Sequence, residues 1–198
     1  ENIPEHHPLS RGFDFFFGML GGGHDYFPTV ETNALSWGRG KIEKVRTPYL
    51  TDWFTLEAID FIDRESKKEA PWFLYLSYNT PHSPLQAKPE DLALYGHVEN
   101  KQRRTYCAMQ KALDDNIAKL TAHLEEQKLL RNTLIIFLND NGGSVEVSHA
   151  INAPLTGTKG TWLEGGIRVP MIVSWKGESC DFTRRDAHRC RGGRRKCG

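Results

Sequence analysis

The stretch T-L-I-I-F-L-N-D-N-G-G, Thr133 to Gly143, decides the reading of the fold, together with N-A-P-L-T-G-T-K-G-T-W-L-E-G-G-I-R-V-P, Asn152 to Pro170. Every residue from Thr133 to Leu138 is β-branched or apolar, which predicts a strand buried on both faces, as in a parallel sheet. The run stops at Asn139-Asp140-Asn141-Gly142-Gly143. A carboxylate, amides and flexible glycines therefore stand at the C-terminal end of the strand, where open α/β sheets place their ligand sites. Gly157-Thr158-Lys159-Gly160 supplies a second glycine loop with an ammonium, and Thr80-Pro81-His82-Ser83-Pro84 follows another apolar run, Trp72 to Tyr78. The expectation is that Asp140, Asn141, Lys159 and His82 converge on one end of a sheet. Each also has a plainer reading. Asp-Asn-Gly-Gly is a turn composition, Lys159 reads as an exposed loop lysine, and a histidine between prolines reads as a turn residue.

In this order and spacing the motifs resemble the formylglycine-dependent sulfatase family, within the alkaline-phosphatase-like fold. Further matching segments are R-G-F-D-F-F-F-G at 11–18, G-G-H-D-Y-F at 22–27 and Y-L-T-D-W-F-T-L-E-A-I-D-F-I at 49–62, so the resemblance runs from about Pro8 to Gly177. It implies an α/β class: an incomplete alkaline-phosphatase-like fold, mostly parallel sheet flanked by helices, with residues 1–177 as a partial catalytic domain. It implies a sulfuric ester hydrolase acting on a sulfate-ester small molecule or a sulfated glycan. Asp140 and Asn141 would ligate the metal, calcium in preference to magnesium. His82 and Lys159 would serve catalysis and sulfate binding. The family nucleophile is a formylglycine made from a cysteine that precedes a Pro-Ser-Arg-like run; Cys107 is followed by Ala108-Met109-Gln110 and does not match.

The chemistry agrees with those residue types. A sulfate ester spreads negative charge over its oxygens, and displacement at sulfur needs a nucleophile, charge neutralisation and help for the departing alcohol. Asp140 and Asn141 offer hard oxygen donors, but calcium takes about six to eight oxygens, so the pair holds only part of its shell. Lys159 is a compact cation on a flexible stem, and His82 can donate to a sulfate oxygen or exchange a proton. The resemblance places two further aspartate ligands, the nucleophile with its arginine, and a lysine and a histidine before Glu1. The chain is therefore expected to hold part of a site and not to hydrolyse sulfate esters alone. A competing reading is an inactive remnant that binds only an anion or a partner. A phosphatase or phosphonate hydrolase is disfavoured, because those sites use more histidine and aspartate. The resemblance further suggests an exported, periplasmic or lysosomal protein. Oligomeric state is not legible.

The 198 residues fit one domain with its own core, and 38% hydrophobic with 26% charged content is ordinary for a globular chain. A net charge of +1 gives no pointer to nucleic acid or a membrane surface, and no apolar run reaches the ~18 residues of a membrane span. Residues 178–198 are basic, carry Cys180, Cys190 and Cys197, and have no hydrophobic period. They read as a disordered tail foreign to the family, since His188 with Cys190 and Cys197 lacks the close paired spacing of a zinc site.

Periodicity predicts a hairpin over 34–46 turning at Gly38-Arg39-Gly40, a helix over 49–66, a strand over 72–78, a helix over 99–129 and a strand over 169–175. In the second helix Tyr106, Met109, Leu113, Ile117, Leu120 and Leu124 form the core stripe. Adjacent Asp114 and Asp115 point apart and are read as structural, and Glu164 with Arg168 as an ion pair. Phe13, Phe15, Phe16 and Phe17 are expected to bury. His6 and His7 are expected in solvent. His24-Asp25-Tyr26 is left open between the edge of a substrate pocket and a hydrogen-bonded loop.

Overall fold

A computed structural model describes residues 4–32, 34–175 and 178–181. The chain divides into two compact units: Glu1–Leu120 with Val147–His149, and Thr121–Glu146 with Ala150–Gly198.

The first unit is built around one aromatic-rich core. Short strands β1 (Phe17–Gly18), β2 (Ser36–Trp37) and β3 (Gly40–Lys41) pair antiparallel. The β2–β3 turn falls at Gly38-Arg39 as expected, with Gly38 at φ +59°, where glycine carries no Cβ penalty. Helix α1 (Leu50–Glu65) buries Leu50, Trp53, Phe54, Ala58, Phe61 and Ile62, an i, i+3, i+4 stripe. Its first N–H has no helical partner, and Leu50 N donates to Tyr26 O at 2.9 Å. Tyr26, Leu35, Tyr49, Leu50, Trp53 and Phe54 form the centre of the core with Ala108, Met109 and Ala112. The last three come from helix α3 (Lys101–Glu126), which follows short helix α2 (Pro89–Leu94). The expected α3 stripe is there, with Met109, Leu113 and Leu124 buried. Asn116, not expected, is 1% exposed, and its Nδ2 donates to Asp52 Oδ1 at 2.7 Å and to Ala112 O at 2.8 Å.

Two expectations for this unit change. Trp72–Tyr78 is extended but joins no ladder among the described residues. Its alternation is one-sided, with Leu76 and Tyr78 packed on the core while Phe73 and Tyr75 are 72% and 69% exposed. His7 is not in solvent: it is buried, edge-on to Phe16, and its Nδ1 accepts from Leu9 N at 3.2 Å. Of the expected buried phenylalanines, Phe13 stays exposed, while Phe17 packs on Trp53 and Phe54.

The second unit centres on a sheet of β4 (Leu134–Leu138), β5 (Met171–Trp175) and β6 (Glu178–Asp181), in the order β4-β5-β6. The mixed helix and sheet content keeps the α/β class, but every ladder among the described residues is antiparallel, with Leu134 facing Trp175 and Leu138 facing Met171. The expectation of a mostly parallel sheet drew on the resemblance and on the apolar run of β4, and such a run reports burial, not strand direction. Nor is β4 buried on both faces. Leu134, Ile136 and Leu138 are each about half exposed, because nothing among the described residues covers that face. β6 extends the sheet into the segment that the sequence set apart as a disordered tail, so Glu178–Asp181 is a strand. The rest of that expectation, over 182–198, lies outside the described residues. Short helices α4 (Val145–Ser148) and α5 (Glu164–Ile167) flank the loops described next.

Candidate functional site

In the second unit, the loop after β4 and the loop before α5 are locked by backbone contact. Gly142 N donates to Gly166 O at 2.9 Å, and a Cβ on Gly142 would lie 1.7 Å from Gly165 O. Only glycine permits that approach. Gly157 takes φ +108°, and a Cβ there would meet Leu163 Cβ at 2.6 Å. Gly142, Gly143, Gly157, Gly165 and Gly166 are thus steric requirements of one knot, whereas Gly160 faces open space.

The knot is tied at the carbonyl of Gly143. Gly143 O accepts from Asn152 Nδ2 at 2.9 Å, Thr158 Oγ1 at 3.2 Å and Lys159 N at 3.3 Å. Asn152 Nδ2 also donates to Gly157 O at 3.0 Å, and Thr158 Oγ1 accepts from Val145 N at 3.0 Å. Asn152 and Thr158 were missed as positioning residues. The signal was a polar residue flanking each glycine loop, with an amide and a hydroxyl suited to bridging backbone.

The structure therefore brings Asp140, Asn141 and Lys159 into one loop assembly. Asp140 is exposed and its carboxylate has no partner among the described residues. Asn141 is half-buried and donates Nδ2 to Gly142 O at 2.9 Å, which leaves Oδ1 as its available atom. Lys159 is exposed and its ammonium has no ion-pair partner among the described residues. Glu164 and Arg168 do pair, at 3.4 Å and largely in solvent, where such a pair contributes little.

His82 belongs to the first unit, and its loop is equally constrained. Peptide bonds Thr80–Pro81 and Ser83–Pro84 are cis. His82 N donates to Asn79 O at 2.8 Å, and Tyr26 Oη, with one proton to share, lies 2.7 Å from Asn79 O and 3.0 Å from His82 O. Thr80 and Thr51 join hydroxyls at 2.7 Å beneath it. The imidazole is exposed, and its Nδ1 lies 2.8 Å from Ser83 O. A carbonyl only accepts, so Nδ1 carries the proton and Nε2 is the nitrogen left without a partner among the described residues. Gly23 packs on this loop: a Cβ there would sit 3.8 Å from His82 Nδ1.

The open question over 24–26 divides by residue. His24 is a loop-core residue, with Nδ1 donating to Asp25 O at 2.7 Å and Nε2 accepting from Ala34 N at 3.1 Å. Tyr26 is fully buried, and burial lifts its phenol above the ordinary range. The same cause raises Tyr49 and pushes Tyr78 up to about 12. Asp25 is exposed. Cys107 lies half-buried on α3 as a free thiol with no base bonded to it among the described residues, so it does not fit a nucleophile or its precursor. No group of three or more His, Cys, Asp or Glu side chains that could hold a metal occurs among the described residues, so Asp140 with the Asn141 amide supplies only part of a shell.

Set against known proteins, residues 4–188 match the family model described as Sulfatase. The chain is 36% identical over 179 residues to arylsulfatase J of Mus musculus, covering 84% of this chain and 29% of that protein. It is 30% identical over 192 residues to N-acetylgalactosamine-6-sulfatase of Homo sapiens, covering 88% and 35%. Among solved structures, Ps i-CgsB superposes with a TM-score of 0.82 at 41% identity over 88% of this chain and 42% of that one. The same protein with k-i-k-neocarrahexaose bound gives 0.81 at 40%. The chain thus spans about a third of the length of the curated relatives it matches.

Proposed function

The chain belongs to the sulfatase family, and from that premise we propose that it carries the calcium- and sulfate-binding part of a sulfuric ester hydrolase whose substrates are sulfated glycans. The observation that carries this reading is the Gly143 knot, which holds the loops of Asp140, Asn141 and Lys159 together and leaves the Asp140 carboxylate, Asn141 Oδ1 and the Lys159 ammonium unpartnered among the described residues. An exposed carboxylate, an amide oxygen and an ammonium on a rigid backbone suit a cation and the anion it binds. The glycan class draws support from the relatives, one crystallised with a neocarrahexaose and others acting on N-acetylgalactosamine sulfate by name.

Asp140 Oδ atoms and Asn141 Oδ1 would hold one side of a calcium ion, whose contribution is charge neutralisation on the sulfate oxygens. Lys159 reaches an anionic oxygen as a mobile cation on a loop whose backbone is fixed at Gly143. His82, in the first unit, is proposed to offer Nε2 to a sulfate oxygen. Because Nδ1–H is committed to Ser83 O, donation from Nε2 requires the imidazolium. Neutral His82 can instead accept a proton at Nε2. The formylglycine of the family finds no counterpart in Cys107, so no step through it is assigned to these residues.

Calorimetric titration of the 198-residue chain with inorganic sulfate, with and without calcium, tests the reading. Sulfate is expected to bind only with calcium present, and Lys159→Ala to weaken it about tenfold, one charge-assisted hydrogen bond's worth. Calcium-independent binding that Lys159→Ala leaves unchanged would refute it. Turnover of a chromogenic aryl sulfate by this chain is expected to be nil.

A further inference from the structure

Beyond the sulfate contact, we propose that Asp25, held by Gln86, is a specificity residue on the loop that packs against the His82 turn. It takes a free hydroxyl on the sugar that bears the scissile sulfate and disfavours a second sulfate there. The inference rests on the reading of His82 as a sulfate contact.

Within the first unit, Gly23 touches the His82–Ser83 turn: a Cβ at Gly23 would lie 3.6 Å from Ser83 O and 3.8 Å from His82 Nδ1. Asp25 is two residues further on, within about 7 Å of Gly23 along an extended chain. Its carboxylate is exposed yet not loose, because Gln86 Nε2 donates to Asp25 Oδ1 at 3.1 Å. The Gln86 amide is itself fixed, its Oε1 accepting from Tyr26 N at 2.6 Å. Tyr26 is buried and its hydroxyl reaches Asn79 O and His82 O. Asp25 and His82 therefore hang from the same buried tyrosine. Asp25 Oδ2 has no partner among the described residues, so a positioned acceptor stands on the loop that packs against the His82–Ser83 turn.

An acceptor-only group suits an alcohol, which brings a proton, and not a sulfate, which brings only acceptors and like charge. A structural role for Asp25 would predict a salt bridge or a backbone cap; instead its one bond is to an amide that would be equally well satisfied by water. Nothing about Asp25 is needed to bind inorganic sulfate, and this separates the inference from the reading beneath it.

The test is titration of the full chain, with calcium, by inorganic sulfate, a monosulfated galactose and a disulfated galactose, following the His82 imidazole by NMR. The expected result is that monosulfated galactose binds about tenfold more tightly than inorganic sulfate. Asp25→Asn is expected to abolish that advantage, to improve the disulfated sugar relative to the monosulfated one, and to leave inorganic sulfate unchanged. Gln86→Glu keeps an acceptor for Tyr26 N but removes the donor to Asp25, and is expected to lose the same preference in a folded chain. If inorganic sulfate moves His82 but the sugar preference is absent or survives both substitutions, the inference falls and the sulfate reading stands. If inorganic sulfate neither binds nor moves the His82 imidazole, the sulfate reading falls and takes the inference with it. A chain that binds no sugar at all overturns the inference.

Discussion

Asn152 and Gly143 are joined through both of their polar groups: Gly143 N donates to Asn152 Oδ1 at 3.0 Å, and Asn152 Nδ2 donates to Gly143 O at 2.9 Å. One side chain thereby imitates a neighbouring strand. With its second donation, to Gly157 O, it spans the loop after β4 and the loop of Lys159.

Asn152→Asp tests this directly. Aspartate keeps the shape and the acceptor for Gly143 N but loses both donations and sets a carboxylate against the carbonyls of Gly143 and Gly157. Leaving two half-buried carbonyls without that donor costs about 2–3 kcal/mol. Chemical denaturation followed by circular dichroism should show that loss, and calorimetry should show calcium binding weakened although residue 152 is no ligand. Unchanged stability would mean that the loops are held some other way.

Gly142→Ala is expected to be worse. A Cβ at 1.7 Å from Gly165 O meets backbone on a loop with little freedom, not the end of a flexible side chain. Relief requires the two glycine loops to part, breaking Gly142 N to Gly166 O, at about 3 kcal/mol or more. Gly160→Ala is the control for glycine content: nothing lies within 4 Å of its Cβ position, so it carries only the strain of φ +85°. Thermal melts should rank Gly142→Ala well below Gly160→Ala.

How much of this was open to sequence reasoning depends on what each residue type reports. Helices α1 and α3 were legible within a few residues because their apolar spacing is set by the 3.6-residue turn. The glycine-bounded loops of Asp140 and Lys159 were legible because backbone contact leaves no room for a Cβ, and that shows as glycine. Strand direction was not legible, since Leu134–Leu138 would be equally apolar in either ladder. The buried and half-buried polar residues were missed for a different reason. Asn116, Asn152 and His7 pair with groups far along the chain or with backbone, and a polar letter in sequence looks the same whether solvated or satisfied inside.

The three core tyrosines give the first unit a defined alkaline limit. Burial raises the phenols of Tyr26 and Tyr49 and pushes Tyr78 up to about 12, so each fold-held phenol keeps its proton more tightly than in the unfolded chain. Such a group contributes stability that is fully present below its unfolded value of about 10 and is lost as pH rises through the folded one. Stability should fall steeply above pH ~10. In a spectrophotometric titration, the buried phenols should ionise together with unfolding and not before it. Tyr78→Phe should flatten the fall, and would also cost the hydroxyl contact with Thr55 at 2.7 Å.

Asp91 makes the same case for a carboxylate. It is 5% exposed, its Oδ2 has no hydrogen-bond donor, and the Lys88 ammonium stands 3.6 Å away while also serving Asp52 at 3.5 Å. Burial raises its pKa, Glu90 and Asp115 push the same way, and Lys88 and Lys111 oppose them without cancelling the effect. A raised folded value means that the fold prefers the protonated acid. The resulting stability is complete below the ordinary aspartate value of about 3.9 and is lost as pH climbs through the folded value, so at neutral pH the ionised group is a burden. Asp91→Asn imitates the protonated form, and Lys88 still keeps Asp52. The substitution should raise the melting temperature at neutral pH, and the gain should shrink as pH is lowered toward ~4, where the wild-type carboxyl takes up its own proton. A variant that instead melts lower at neutral pH would show that the Lys88–Asp91 pair outweighs its desolvation, reversing the sign argued from burial.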